Sequence, residues 1–277
     1  MNAAIEANNT ESMNNVNVMS IEDMRRIAPH IFCSAPTNPH LSKHYTFAST
    51  QTVINDMAKL GWYVVDAAQP HPRRKSSVSS FHKVTFQGNS TITRTLADGT
   101  EDVYYPRIVL TNSHDGYNSF CFRISLFRVN TGRDIIINTD KFEKIYLRHI
   151  GYSFEELRNL VNTVVEEVPN QVKVMNQMKD RVLSQEEKYK LAEAAIRARS
   201  TTQPDAIPDF ILDEILESNG CPDDNLWDVF NLIMDKLIDG DFRQLTKKGV
   251  RKARMMKSVS KTITVSQAIF RAASELL

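Results

Sequence analysis

The sequence predicts an α+β fold, in which a mostly antiparallel β-sheet is packed by helices and followed by a helical C-terminal part. Three observations predict it. Residues 62–138 alternate apolar and polar side chains between turn signals, the period-two pattern of strands. From Ser153 onward the apolar period lengthens to that of helices, first with Leu157, Leu160, Val161, Val164, Val165 and Val168 on one face. A chain of 277 residues, 42% hydrophobic and 24% charged, can bury one large core or two modest ones.

Residues 1–19 are rich in Asn and poor in large apolar groups, without the basic start and apolar run of a signal peptide. Ser20-Ile21-Glu22-Asp23 then caps a short helix from Ile21 to Ala28, stopped by Pro29. Residues 1–44 are therefore expected to form a flexible arm carrying that helix. Thr50 is expected to cap a helix with Val53, Ile54, Met57 and Leu60 on one face and Gly61 past its end. Strands follow at Trp62–Val65, Phe81–Phe86, Thr91–Leu96, Val103–Tyr105 and from Ile108, with Asp98-Gly99 as a hairpin turn and Pro106 at an edge or bulge.

Ile108–Asn112 enters a polar loop, Asn112-Ser113-His114-Asp115-Gly116, and leaves along Phe120, Phe122, Ile124 and Leu126, which alternate on one buried face. Cys121, Arg123 and Ser125 point the other way. Ile135–Ile137 supplies a further strand, giving five or six in all.

The helical part begins with the Ser153–Glu156 capping box, and Pro169 is expected to break or kink its helix. Further helices carry Val172, Met175, Met178 and Val182, then Leu191, Ala192, Ala195 and Ile196 after Ser184. Thr201-Thr202-Gln203-Pro204 is the expected linker, dividing a core domain at 45–200 from a helical region at 205–277. There a helix spans about Pro208 to Glu217, and Asn225 caps another that ends at Gly240.

Charge in this last region is partitioned. Residues 205–241 hold eleven acids against Lys236 alone, whereas 242–271 hold nine cations and no acid. The net charge of +1 hides an acidic block joined to a basic tail. Val265–Leu277 keeps helical spacing, so the end of the tail is expected to dock.

Several chemistries are absent from the sequence. No Walker loop, dinucleotide-binding glycine fingerprint or nucleophile elbow is present, and the seven histidines show no close metal-ligand spacing. Cys33, Cys121 and Cys221 lie far apart, which predicts reduced thiols. No window approaches the roughly 18 apolar residues of a membrane span, and the chain is expected in the cytoplasm without a cofactor.

What remains is a polar constellation and a set of cations. Asn112, His114, Asp115 and, across the fold, His149 are the candidate catalytic residues. Arg73-Arg74-Lys75, Arg123, Arg128 and the tail residues Lys247, Lys248, Arg251 and Lys252 are the candidate phosphate contacts. Tyr104, Tyr105, Tyr117, Phe120 and Phe122 are available for base stacking.

Asn112–Gly116, the strand into Phe127-Arg128, Gly132 and His149-Ile150-Gly151 resemble a phage and plasmid family known as domain of unknown function nine-three-two. The Leu226-Trp227-Asp228-Val229-Phe230-Asn231 segment and Gly240 are similar to the Trp-Asp-x-x-Asn helix of its longer members. The likeness covers roughly residues 45–270 and implies an origin in a mobile element. Members usually carry a Cys-x-Asn-Gly turn after the Phe-Arg pair. This chain instead has Val129-Asn130-Thr131-Gly132, so no role for that thiol transfers. The helix carrying Val53-Ile54-Asn55, then Gly61-Trp62, a strand, a β-meander and a long helix also resemble, at the level of fold alone, Rad52-type single-strand annealing proteins.

The leading expectation is a cytoplasmic phage- or plasmid-type protein that binds single-stranded DNA or RNA as a homo-oligomer, strand annealing in recombination being one such task. The alternatives are a nuclease or other hydrolase assisted by a divalent metal at His114 and Asp115, and a counter-defence protein whose acidic block binds a host protein.

Overall fold

A computed structural model describes residues 17–41, 43, 45–70, 80–95, 101–129, 132–136, 145–146, 153–200, 206–217 and 224–277. Its contacts divide the chain into two units, Met1–Ile135 with Thr139–Val168, and Ile136–Asn138 with Pro169–Leu277. Arg73, Arg74, Lys75, His149 and the Asp98-Gly99 turn lie outside the described residues.

The first unit opens with helix α1 (Ile21–Ile27), capped by the Ser20 hydroxyl, which accepts the Asp23 amide at 3.0 Å. Pro29 then starts a 3₁₀ turn, Pro29–Phe32. This stretch is not an arm. Met24, Ala28 and Ile31 sit in the apolar core at 0–3% exposure, because α1 closes over the sheet.

Helix α2 (Thr50–Lys59) is capped by Ser49, one residue before the position expected from sequence. Thr50 is its first helical residue, and its hydroxyl is engaged elsewhere. Val53 and Met57 face the core, and Gly61 at φ +80° turns the chain into the sheet.

Among the described residues the sheet has seven strands: β1 (Tyr63–Ala68), β2 (His82–Gln87), β3 (Ile92–Thr95), β4 (Glu101–Asn112), β5 (Cys121–Arg128), β6 (Arg133–Ile136) and β7 (Ile145–Tyr146). Its order is β1-β2-β4-β5-β6, with β3 added beside β4 and β7 beside β5. The long β4 carries β5 along one side, and β3 and then β2 along the other. Pro106 falls where β4 has passed β3 and not yet reached β2, a local edge at which a proline is tolerated.

One face carries Val84, Phe86, Ile108, Leu110, Phe122 and Ile124 against Val53, Met57, Leu157 and Val161. Burying each large side chain contributes about 1.5–3 kcal/mol. The opposite face is polar, yet it too is shielded: Thr85, Gln87, Thr111, Cys121 and Ser125 are all at most 4% exposed.

Helix α3 (Phe154–Asp180) is capped by Ser153 and remains helical through Pro169, against the expected break. A proline removes one amide, and the carbonyl it would have served belongs to Val165, a residue that is 48% exposed.

In the second unit, α4 (Gln185–Arg199) follows the Ser184–Glu187 capping box. After α5 (Asp209–Leu216), α6 (Leu226–Asp239) is capped by Asn225 and closed by Gly240 at φ +73°. The basic segment is folded. It forms the hairpin β8 (Arg243–Thr246) and β9 (Gly249–Lys252), followed by α7 (Val259–Ser274). Leu191 and Ala195 from α4, Trp227, Phe230 and Ile233 from α6, and Ile269 and Phe270 from α7 are buried together in this unit. Because α4 packs on α6 and α7, the chain divides at Pro169 rather than at Thr201–Pro204.

Candidate functional site

The Asn112–Gly116 loop closes the end of the β4–β5 hairpin, and the carbonyls of Ser113, His114 and Asp115 and the amide of His114 meet partners from other segments. The Asn112 amide donates to the Thr50 hydroxyl at 3.0 Å and to the Ala48 carbonyl at 3.3 Å. Its own oxygen accepts the Ser113 amide at 2.8 Å. The Ser113 hydroxyl bonds to both Asn118 backbone groups. Thr37, Asn38 and Tyr45 donate to the carbonyls of His114, Asp115 and Ser113 respectively.

The Asp115 carboxylate is fully committed. One oxygen accepts the Ser80 amide at 2.8 Å and the other the Tyr117 amide at 2.9 Å. Burial works to raise its pKa, but the Tyr117 and Ser80 amides, aided by the Ser113 and Ser80 hydroxyls, hold it below the ordinary carboxylate range. Ser80 returns the link, its hydroxyl accepting the His114 amide at 2.6 Å.

His82 completes the network. Its Nδ1 lies 2.8 Å from the Ser80 carbonyl, which only accepts, so Nδ1 carries the proton. Nε2 then accepts from the Thr50 hydroxyl at 2.8 Å, while that hydroxyl accepts from Asn112. Burial drives the His82 pKa down to about 3, only partly offset by the Ser80 carbonyl, and the ring is neutral.

The His114 ring lies between His82 and Phe47, with centroids 4.9 and 4.8 Å away. It is fully buried, and neither nitrogen is in a well-formed hydrogen bond, the His30 backbone offering only a weak one. Burial lowers its pKa to about 4, against a smaller opposing contribution from the His30 backbone. No hydrogen bond joins the Asp115 carboxylate to this ring; its oxygens are held by backbone amides. Among the described residues, no three His, Cys, Asp or Glu side chains gather as a metal site. The loop therefore behaves as a lock between the N-terminal segment, the start of β2 and the β4–β5 turn.

The partners Thr50, Ser80 and His82 were not legible as members of this network. They lie 30 or more positions from Asn112 and His114, and no local spacing connects them.

The candidate phosphate contacts separate. Arg123 and Arg128 stand five positions apart on the regularly paired β5, so they occupy opposite faces of the sheet. Arg128 shares the face of the apolar core. Arg123 lies on the polar face and donates to the Thr111 hydroxyl at 2.9 Å.

In the second unit, the base of the hairpin is neutralised: Arg243 pairs with Glu214 at 2.9 Å and Lys252 with Asp241 at 3.3 Å. Lys247 and Lys248 form the turn, and with Arg251 they are exposed, without an ion pair among the described residues. Within the acidic block, Asp213 accepts the Tyr189 hydroxyl and Asp224 pairs with Lys188, beside an open groove of about 230 Å³.

The family described as Domain of unknown function (DUF932) matches residues 39–260. The chain belongs to that family. Among curated DUF932-type relatives, the UPF0380 protein YfjQ of Escherichia coli (strain K12) is 22% identical over 269 residues. The UPF0380 protein YafZ of the same organism is also 22% identical over 269 residues. Each comparison covers 92% of this chain and 90% of the relative. No solved structure matches, so the likeness to Rad52-type annealing proteins finds no support there.

Proposed function

We propose that this DUF932 protein binds single-stranded nucleic acid through the tip of the β8–β9 hairpin. The supporting observation is the contrast along that hairpin: its base is charge-neutralised, while Lys247, Lys248 and Arg251 face solvent unpaired. Exposed cations without partners keep their full attraction for a phosphate backbone.

Two further features favour a single strand over a duplex groove. Helix α6, next to the hairpin, is buried on its apolar face and acidic where it is accessible, through Asp228, Asp235 and Asp239. Such a helix repels a phosphate-lined groove. Phe210 is 42% exposed with the Arg243 guanidinium 5.0 Å from its ring centre, an arrangement suited to stacking an unpaired base.

Three unpaired cations make few contacts, so useful affinity calls for several copies along one strand. A homo-oligomer with strand annealing in recombination as its task fits that arithmetic, and so does the cytoplasm of a cell hosting a mobile element. No helix among the described residues is long and apolar enough to cross a membrane.

Fluorescence anisotropy with labelled single- and double-stranded oligonucleotides of DNA and RNA, over a salt series with and without Mg²⁺, tests the reading. Tighter binding to single strands, weakening steeply with salt and leaving the strand intact, supports it. Equal or absent binding at low salt contradicts it, and Mg²⁺-dependent cleavage would move the assignment to a hydrolase.

A further inference from the structure

The register of the β8–β9 hairpin sorts its side chains onto two faces of different chemistry. Arg243 pairs with Lys252, Gln244 with Arg251, Leu245 with Val250 and Thr246 with Gly249. Alternation along each strand therefore puts Arg243, Leu245, Val250 and Lys252 on one face, and Gln244, Thr246 and Arg251 on the other. Arg251, exposed and without an ion pair among the described residues, thus belongs to the second face, with Lys247 and Lys248 in the turn beside it.

The first face is neutralised at the base of the hairpin and apolar toward the turn. One Glu214 carboxylate oxygen accepts both the Arg243 backbone amide at 3.1 Å and its Nε at 2.9 Å. Lys252 is held by Asp241 at 3.3 Å. Next along the strands come Leu245, which is partly buried, and Val250, which is 43% exposed. Phe210 joins this face from α5, because its ring centre lies 5.0 Å from the Arg243 guanidinium. The Arg243 side chain keeps 52% of its surface accessible, so the ring, the guanidinium and the valine are all open to solvent.

A lone exposed apolar residue is ordinary on a protein surface. Here an aromatic ring and two aliphatic side chains share one face that leads to three free cations. Phe210, Leu245 and Val250 bring no side-chain donor or acceptor. A nucleobase laid against them is held by stacking and apolar contact, which every base offers. The cations at the turn commit the face to a ligand that carries phosphates next to flat, unpaired rings.

We propose that this face is a base-binding shelf, on which Phe210 and Val250 hold unpaired bases irrespective of sequence while Lys247, Lys248 and Arg251 hold the phosphates. The shelf rests on the reading of the hairpin as a nucleic-acid contact and adds its ligand class: single strands of any sequence, recognised by their bases as well as their charge.

Fluorescence anisotropy of the full chain with labelled strands of one length tests it. Two strands have equal base composition in different order, and a third is built of abasic units with the same number of phosphates. The native chain is expected to bind both base-bearing strands equally, and roughly tenfold or more tighter than the abasic strand. Phe210→Ala should weaken the base-bearing strands by about that factor while leaving abasic binding and the salt slope unchanged, and Phe210→Tyr, which keeps a ring, should retain native affinity. Native affinity for base-bearing strands in folded Phe210→Ala, or a clear preference for one base order, overturns the proposal. Abasic binding as tight as base-bearing binding, yet lost in Lys247→Glu/Lys248→Glu/Arg251→Glu, overturns the shelf and keeps the hairpin contact. Absence of binding by every strand overturns both.

Discussion

Asn112 joins the loop to the start of α2 through one amide group. It donates to Thr50 and to Ala48, and accepts from Ser113. Asn112→Ala leaves the buried Ser113 amide without its acceptor, which costs about 1–3 kcal/mol, and takes from the Thr50 hydroxyl one of its two partners, His82 remaining. A loss of about 2 kcal/mol in urea unfolding is expected, and an unchanged midpoint would remove the loop's role as a lock. The buried histidines set a pH response. An unfolded histidine ionises near its ordinary 6.5, whereas folded His114 stays neutral down to about 4 and His82 down to about 3. Between those values the unfolded chain binds more protons, so stability is complete above about pH 6.5 and falls as pH drops toward 4. Thermal unfolding between pH 7.5 and 4.5 should follow that slope. His114→Phe should flatten it, and an identical slope in that variant would contradict the assignment.

At the scale of elements, Gly240 decides whether α6 can hand the chain to the hairpin. It sits at φ +73°, and an added Cβ would lie 2.5 Å from the Arg254 backbone carbon, which cannot yield as a side-chain tip would. Gly240→Ala should therefore cost roughly 3 kcal/mol, from the left-handed backbone and the clash together. A loss under about 1 kcal/mol, the cost of the backbone conformation alone, would show that the neighbouring Arg254–Met255 backbone can shift. Local signals of this kind were legible in the sequence. Ser20, Ser184 and Asn225 cap the helices expected of them, and Gly61 and Gly240 end theirs. The cap of α2 was misplaced by one residue because Ser49 and Thr50 are equally good acceptors locally. His82, 32 positions away, claims Thr50. The local rule has Pro169 break or kink its helix, and the helix does not break there; the solvent exposure of Val165 is a property of the folded helix and not of the sequence.

For the whole molecule, the α+β class and the antiparallel sheet followed from periodicity alone. Shielding did not: alternation at 121–126 places Arg123 and Ser125 opposite the core, but cannot say that Thr85, Thr111, Cys121 and Ser125 on this face are buried as well. Nor could composition foresee that the stretch before the expected C-terminal helix folds into a hairpin whose Arg243 and Lys252 are spent on carboxylates while Lys247, Lys248 and Arg251 are not, among the described residues. The central claim rests on the cations left over. It is tested most directly by comparing single-strand affinity of the native chain with that of Lys247→Glu/Lys248→Glu/Arg251→Glu between 50 and 200 mM salt, choices of about the physiological range. Three phosphate contacts on single-stranded nucleic acid correspond to a slope of about −2 in log affinity against log salt. The account predicts that the variant, folded by circular dichroism, loses both the affinity and that slope. Binding of native strength and native salt dependence in the variant would place the contact surface elsewhere and contradict it.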